Sequence, residues 1–189
     1  MLLPAAIYIA WDSWFTARNV WSFNDQYIIG KKYFGLPIEE ILFFLVIPYC
    51  CVFIYECVRL YFPAVTKKVK GDAWLKSIAV LLLIAGVVFF KKDYTASTSL
   101  FLGLTLILFF VFRKWFPGFN SGVFLISYAI TLVPFLVVNG FLTALPVVIY
   151  NDAENLGARI YTIPVEDVFY GMLLVFLNIT LFEKFRQYR

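Results

Sequence analysis

Twice in this chain a proline and a pair of acids stand directly ahead of a long apolar run. Pro37-Ile38-Glu39-Glu40 opens Ile41-Leu42-Phe43-Phe44-Leu45-Val46-Ile47, and Pro164-Val165-Glu166-Asp167 opens Val168-Phe169-Tyr170. Proline suits a first helical position, where its missing N–H would find no partner in any case. Carboxylates suit the same end, which carries the positive pole of the helix dipole. Each motif therefore predicts a helix start. The runs behind them are apolar enough to enter a bilayer, so both pairs of acids are expected at a membrane mouth.

The motifs are 127 positions apart (164 − 37), and that register continues without gaps. It places Thr16-Ala17 on Thr143-Ala144, Asn24-Asp25 on Asn151-Asp152, Gly30 on Gly157, and Asp12 on Asn139. Beyond the acids it pairs Glu56 with Glu183, Arg59 with Arg186 and Tyr61 with Tyr188. The matched residues are polar, Gly, Pro or Tyr, which chance similarity between apolar segments does not select. The expectation is an internal duplication.

Of the 189 residues 62% are hydrophobic and only 15% charged, more apolar surface than a soluble domain of this length can hide. A bilayer can receive it, so an all-α integral membrane protein with no separate soluble domain is expected. Cys50, Cys51 and Cys57 lie within one apolar run and read as small reduced core residues. The absence of histidine removes His-ligated metals and His-based triads, and no dinucleotide or P-loop motif is present. Neither a metal nor a cofactor is expected. Nor is a nucleic acid, because the basic residues cluster beside apolar runs as membrane orientation signals do.

Six spans are expected: residues 1–16, 38–62 with Pro48 inside, 73–90, 100–112, 122–150 with Pro134 and Pro146 inside, and 165–185. Met1 to Thr16 lacks a signal peptide's basic start and cleavage site, so it reads as a helix of the mature chain, though short for a full span. Asp72 reads as a helix N-cap behind the basic turn at 67–70, and Ser97-Thr98-Ser99 as part of a short link. Residues 18–36 form an aromatic-rich loop and residues 151–163 its counterpart. Asn24-Asp25 and Asn151-Asp152 there read as turns or as parts of a lid. In this division residues 1–62 are a first repeat, 63–97 a linking helix and 98–189 a second repeat. The implied plan is three helices, a linker and three more, in parallel repeats, with the first helix missing ahead of Met1. Ten Lys and Arg, Arg189 among them, lie on the side of both termini and six on the other. Both termini are thus expected in the cytoplasm and the acid motifs at the outer half of a cell (inner) membrane.

Asp12, Glu39, Glu40, Glu166 and Asp167, with Asn139, all fall near one membrane face. Acids within a membrane are costly and tend to mark function, although at the interface the same residues also serve as helix caps. Glu39 and Glu166, identical in both copies, are the leading functional candidates. Glu40 and Asp167 stand between capping and catalysis, and Asp12 joins them from the first helix. Among nearby residues Trp11, Phe15, Phe43, Asn139 and Tyr170 are candidates to line a substrate cavity, the aromatic faces being able to stabilise a cation. Glu56 with Arg59, and Glu183 with Arg186, read as structural i,i+3 ion pairs.

At the paired Pro-x-Glu-acid motifs the chain resembles the integral-membrane lycopene cyclases. Residues 8–62 look like that family's first half, including Trp11-Asp12, Phe15-Thr16, Trp21-Ser22-Phe23-Asn24 and Gly30 through Phe44. Residues 98–189 look like its second half, including Ile163-Pro164-Val165-Glu166-Asp167 and Asn178. Family members usually carry a further hydrophobic helix upstream, and this chain departs from them there. The resemblance implies an enzyme that takes lycopene, a long apolar polyene, from the lipid. It implies that each end group is closed to a β-ionone ring by protonation, ring closure and loss of a proton, without net redox change. An acid and a base suffice for that, with Glu39 and Glu166 jointly as donor and acceptor and Asp12 supporting. A rival reading is a small transporter or channel, for which repeats and membrane acids are also typical. A Mg²⁺-dependent prenyltransferase would need richer Asp clusters than Asn151-Asp152-Ala153-Glu154 provides. The number of ends cyclised and the oligomeric state are left open by the sequence.

Overall fold

The computed structural model describes residues 1–186. The matching of Tyr61 with Tyr188 and the charge of Arg189 lie outside the described residues. Seven helices account for most of the chain: α1 (Leu2–Ala17), α2 (Ile38–Tyr61), α3 (Pro63–Lys68), α4 (Gly71–Val88), α5 (Asp93–Val111), α6 (Ser121–Ala144) and α7 (Glu166–Arg186). Six short strands lie in the loops: β1 (Trp21–Phe23), β2 (Lys32–Tyr33), β3 (Leu36–Pro37), β4 (Val148–Tyr150), β5 (Arg159–Ile160) and β6 (Ile163–Pro164). Five helices, α2 and α4 to α7, are long and apolar enough to cross a membrane. At 16 residues α1 rises about 24 Å, short of a hydrocarbon core of about 30 Å.

Local chemistry explains most boundaries. α2 begins directly after Pro37 with Glu39 and Glu40 in its first turn, and it stops before Pro63, which disfavours helical geometry in the preceding Phe62. α6 is capped by Asn120, whose side chain accepts the N–H groups of Gly122 and Val123 at 3.0 Å each. It ends at Ala144, so Pro146 lies beyond the helix and residues 148–150 are a strand. That span is expected from the sequence to run to residue 150 with Pro146 inside, and two further boundaries also differ from expectation. α4 starts at Gly71, placing Asp72 in the first turn, where its carboxylate accepts a hydrogen bond from Ser121 instead of capping its own helix. α5 starts at Asp93, seven residues before the expected Leu100. Ser97 is accommodated there because its hydroxyl bonds back to the Asp93 carbonyl at 2.5 Å, as serine does inside helices. Residues 63–97 thus hold α3, α4 and the first turn of α5.

The loops keep the 127-position spacing. Hairpins β2–β3 and β5–β6 pair Lys32 with Pro37 and Arg159 with Pro164, positions 127 apart on both strands (159 − 32, 164 − 37). Gly30 and Gly157, equally spaced, both take positive φ (+87° and +72°), a conformation that favours glycine. β1 and β4 pair antiparallel between the two loops, Trp21 with Tyr150, Ser22 with Ile149 and Phe23 with Val148. Ser22 therefore faces the residue 127 positions after it (149 − 22).

In a bilayer, packing and hydrogen bonding must hold helices together, since lipid tails are as apolar as the side chains. Two aromatic clusters supply packing. Phe119, Phe124, Phe109 and Phe176 meet edge-on with ring centroids 4.8–5.3 Å apart at one end. Trp11, Phe15, Trp21, Tyr94 and Tyr170 also meet edge-on, 5.0–6.1 Å apart, at the end that bears the loops. Charges close the bundle at both ends. Arg18 pairs with Asp93 beside the loops, while Arg59, Arg186, Glu56 and Glu183 interlock at the other end.

Candidate active site

A cavity of about 350 Å³ lies beneath the β1–β4 ribbon, within the size range of small-molecule sites. Its walls come from α2, α6 and α7, with Asp12 from α1 and Tyr94 from α5. The ribbon adds Trp21, Phe23, Val148 and Tyr150 as a roof. Most of the wall is apolar. Cys50 on α2 and Pro134 and Val138 on α6 line the cavity and are also exposed on the outer face of the bundle, so it opens sideways between those helices.

Three carboxyl groups meet at the loop end of this cavity: Asp12, Glu40 and Asp167, one each from α1, α2 and α7. The start motifs of α2 and α7 put Glu40 and Asp167 one residue past Glu39 and Glu166, about 100° round the helix. That rotation separates their surroundings. Asp167 accepts three hydrogen bonds, from Tyr94 Oη at 2.5 Å, Tyr150 Oη at 2.7 Å and Asn139 Nδ2 at 2.7 Å. Asp12 Oδ1 accepts from the Trp21 indole at 2.5 Å, and its Oδ2 has no hydrogen-bond partner among the described residues. Glu40 accepts a hydrogen bond from none of the described residues. Tyr94 and Tyr150 stack 6.0 Å apart at 14°, and Tyr170 meets Tyr94 edge-on at 6.1 Å, so aromatic faces surround the acids. Burial, then the Asp167 charge, holds the Tyr150 phenol well above its ordinary pKa, so it stays a donor.

Glu39 and Glu166 are placed differently, and they share one loop-binding contact. Glu39 Oε1 accepts the N–H of Ile29 at 2.7 Å, and Glu166 Oε1 accepts the N–H of Leu156 at 2.7 Å. Both bonds tie a helix start to the loop ten residues before it. Thr95 adds a 2.6 Å bond to Glu166. Neither glutamate lines the cavity. Of the remaining sequence candidates Phe43, Asn139 and Tyr170 line it, while Trp11 and Phe15 pack behind the wall, Trp11 against Tyr170 and Phe15 against Trp21. Tyr94, Tyr150 and Tyr128 are not singled out by the sequence, and Trp21 figures there only in the family resemblance, not as a cavity residue. A signal existed for Tyr150, which falls on Phe23 in the repeat register (150 − 23 = 127) and is its polar replacement. Tyr94 has no counterpart to betray it.

The second loop is fastened independently. Lys92 Nζ donates to the carbonyl of Asn155 at 2.6 Å, and the Arg159 guanidinium bonded to Asp152 holds that carboxyl below its ordinary range. Among the described residues no group of three His, Cys, Asp or Glu side chains is disposed to hold a metal ion.

The protein-family model described as lycopene cyclase matches residues 1–58 and 91–185, that is, everything that builds the cavity. The unmatched interval contains α3 and α4. A bifunctional lycopene cyclase/phytoene synthase of Leptosphaeria maculans is 40% identical over 47 residues, 25% of this chain and 8% of that protein. Another, of Neurospora crassa, is 25% identical over 106 residues, 52% of this chain and 18% of that protein. The matched regions thus span less than a fifth of these relatives' own length. No solved structure matches the chain.

Proposed function

We propose, from the premise that this chain belongs to the lycopene cyclase family, that it closes the end groups of lycopene to β-ionone rings as a membrane-embedded isomerase. The observation that carries this reading is the convergence of Asp12, Glu40 and Asp167 on one largely apolar cavity open at the side of the bundle. An apolar polyene end can slide from the lipid between α2 and α6 and meet titratable groups only at the far end. There a carboxylic acid adds a proton to the terminal double bond. The inner double bond attacks the resulting cation, the ring closes, and a neighbouring proton leaves to a carboxylate. Formula and oxidation state are unchanged, so the chemistry calls on no cofactor. The surrounding rings of Tyr94, Tyr150, Tyr170 and Trp21 offer their faces to the passing cation. In this reading the proton chemistry belongs to the cavity acids, and Glu39 and Glu166 hold the loops that roof it.

The same reading makes α1 a sixth, tilted or shallow membrane element in a cell (inner) membrane, with both termini cytoplasmic as the basic residues suggest. It treats residues 1–62 and 98–189 as duplicated halves. The matching hairpins, the matching Glu39 and Glu166 bonds and the β1–β4 pairing about Ser22 and Ile149 support that view. Expression in lycopene-accumulating cells, followed by pigment chromatography, tests the function. Monocyclic and bicyclic carotenes are expected, and lycopene left unchanged by an accumulated, membrane-inserted chain would refute it.

A further inference from the structure

We infer that Asp167 is the base that ends the reaction, and that Tyr94, Tyr150 and Asn139 decide which ring isomer forms by fixing its oxygens. This rests on the reading of the site as a lycopene cyclase. The last cation of ring closure is tertiary, and protons can leave from three neighbouring carbons: the ring carbon bearing the polyene, the ring methylene opposite, or the methyl group. In each case the C–H electron pair becomes the new double bond and the proton passes to the carboxylate. The three products are isomers that differ only in where that double bond lies. Nothing in their stoichiometry selects one, so selection falls to the position of the base.

Asp167 is positioned from three directions. Its donors come from α5, β4 and α6, at 2.5, 2.7 and 2.7 Å, and the carboxylate is 4% exposed. An ionised carboxylate offers about four acceptor sites, so three donors leave one for the departing proton. The first half of the molecule supplies the contrast. In the repeat register Asn139, Tyr150 and Asp167 fall on Asp12, Phe23 and Glu40 (139 − 12, 150 − 23 and 167 − 40 are each 127). There the amide is an acid and the phenol is a phenyl ring, so both counterparts lack the donors that hold Asp167. Tyr94, which belongs to neither matched position, bonds to Asp167. The half with the unclamped acid is the one fitted to deliver the first proton, and the half with the clamped carboxylate is the one fitted to remove the last. Tyr94, Tyr150 and Asn139 are positioning residues in this scheme.

The test is ring-isomer analysis of carotenoids from lycopene-making cells carrying Tyr94→Phe, Tyr150→Phe or Asn139→Leu. Loss of one donor to a charged acceptor is expected to raise rings with a displaced double bond by about ten-fold over wild type. Heavy-water labelling of each ring should stay the same, because initiation is untouched. A complementary variant, Asp12→Asn with Phe23→Tyr, gives Glu40 the counterparts of two of the three donors and should abolish ring formation while the protein still accumulates. A single unchanged isomer from all three donor variants, whatever their yield, would overturn the inference, as would normal ring formation by the complementary variant. Wild-type cells that leave lycopene uncyclised would overturn the functional reading itself, and this inference with it.

Discussion

Adjacent acids in one helical turn can face different worlds, and the neighbours Glu39 and Glu40, like Glu166 and Asp167, do so here. Glu39 and Glu166 each accept a loop N–H at 2.7 Å, whereas Glu40 and Asp167 line the cavity. Substitutions should separate them. Glu40→Gln and Asp167→Asn keep shape but remove the titrating group, so each should lower ring formation by about a hundred-fold or more, the usual share of an acid or base. Glu39→Gln keeps an oxygen for Ile29 and should leave most of the activity. Pigment ratios normalised to membrane-inserted protein measure both, and a Glu39→Gln loss as deep as that of Glu40→Gln would return the glutamates to the chemistry. Residue type and spacing made all of these acids visible in the sequence. Spacing alone did not say which of two neighbours turns inward, because that depends on how each helix is rotated against α6 and the ribbon.

Helix starts behaved according to how much of their signal is local. The Pro-x-Glu-acid motifs located α2 and α7 within a residue or two, since dipole chemistry acts inside one turn, but the prolines stand ahead of the helices, Pro37 at the N-cap and Pro164 in β6, and not at the first helical position. The start of α5 was hidden because Ser97-Thr98-Ser99 resembles a link, and only the fold shows Thr95 bonded to Glu166 and Ser97 bonded back into its own helix. The start of α6 invites a direct test. Asn120→Ala removes the cap of two N–H groups and should cost about 1 kcal/mol. Gly122→Ala should cost more, about 1–3 kcal/mol, because the added Cβ would lie 2.5 Å from the Thr66 carbonyl oxygen, which is backbone and cannot swing away. Thermal unfolding in detergent checks the order, and equal stability of Gly122→Ala and wild type would contradict the close approach of α3 to α6.

Across the whole molecule early and late segments of the chain meet at both ends. At the loop end β1 lies against β4, and at the other Arg59 and Arg186 each pair with both Glu56 and Glu183. The 127-position spacing of matching residues was legible in the sequence, but the crossing was not, because pairing between loops more than a hundred residues apart leaves no local pattern. Glu183 is 1% exposed and depends on both arginines, so Arg59→Ala and Arg186→Ala should combine non-additively, by about 0.5 kcal/mol or more in a double-mutant cycle. Strict additivity would mean that the four charges act as separate pairs. Everything proposed for the cavity comes down to a proton that arrives from water through a carboxylic acid and stays in the product. Conversion of lycopene by isolated membranes in heavy water measures this directly. One deuterium should be found in each new ring, on the carbon next to the one that first carried the cation, with the rest of the skeleton unlabelled. Rings formed in heavy water without deuterium would contradict it.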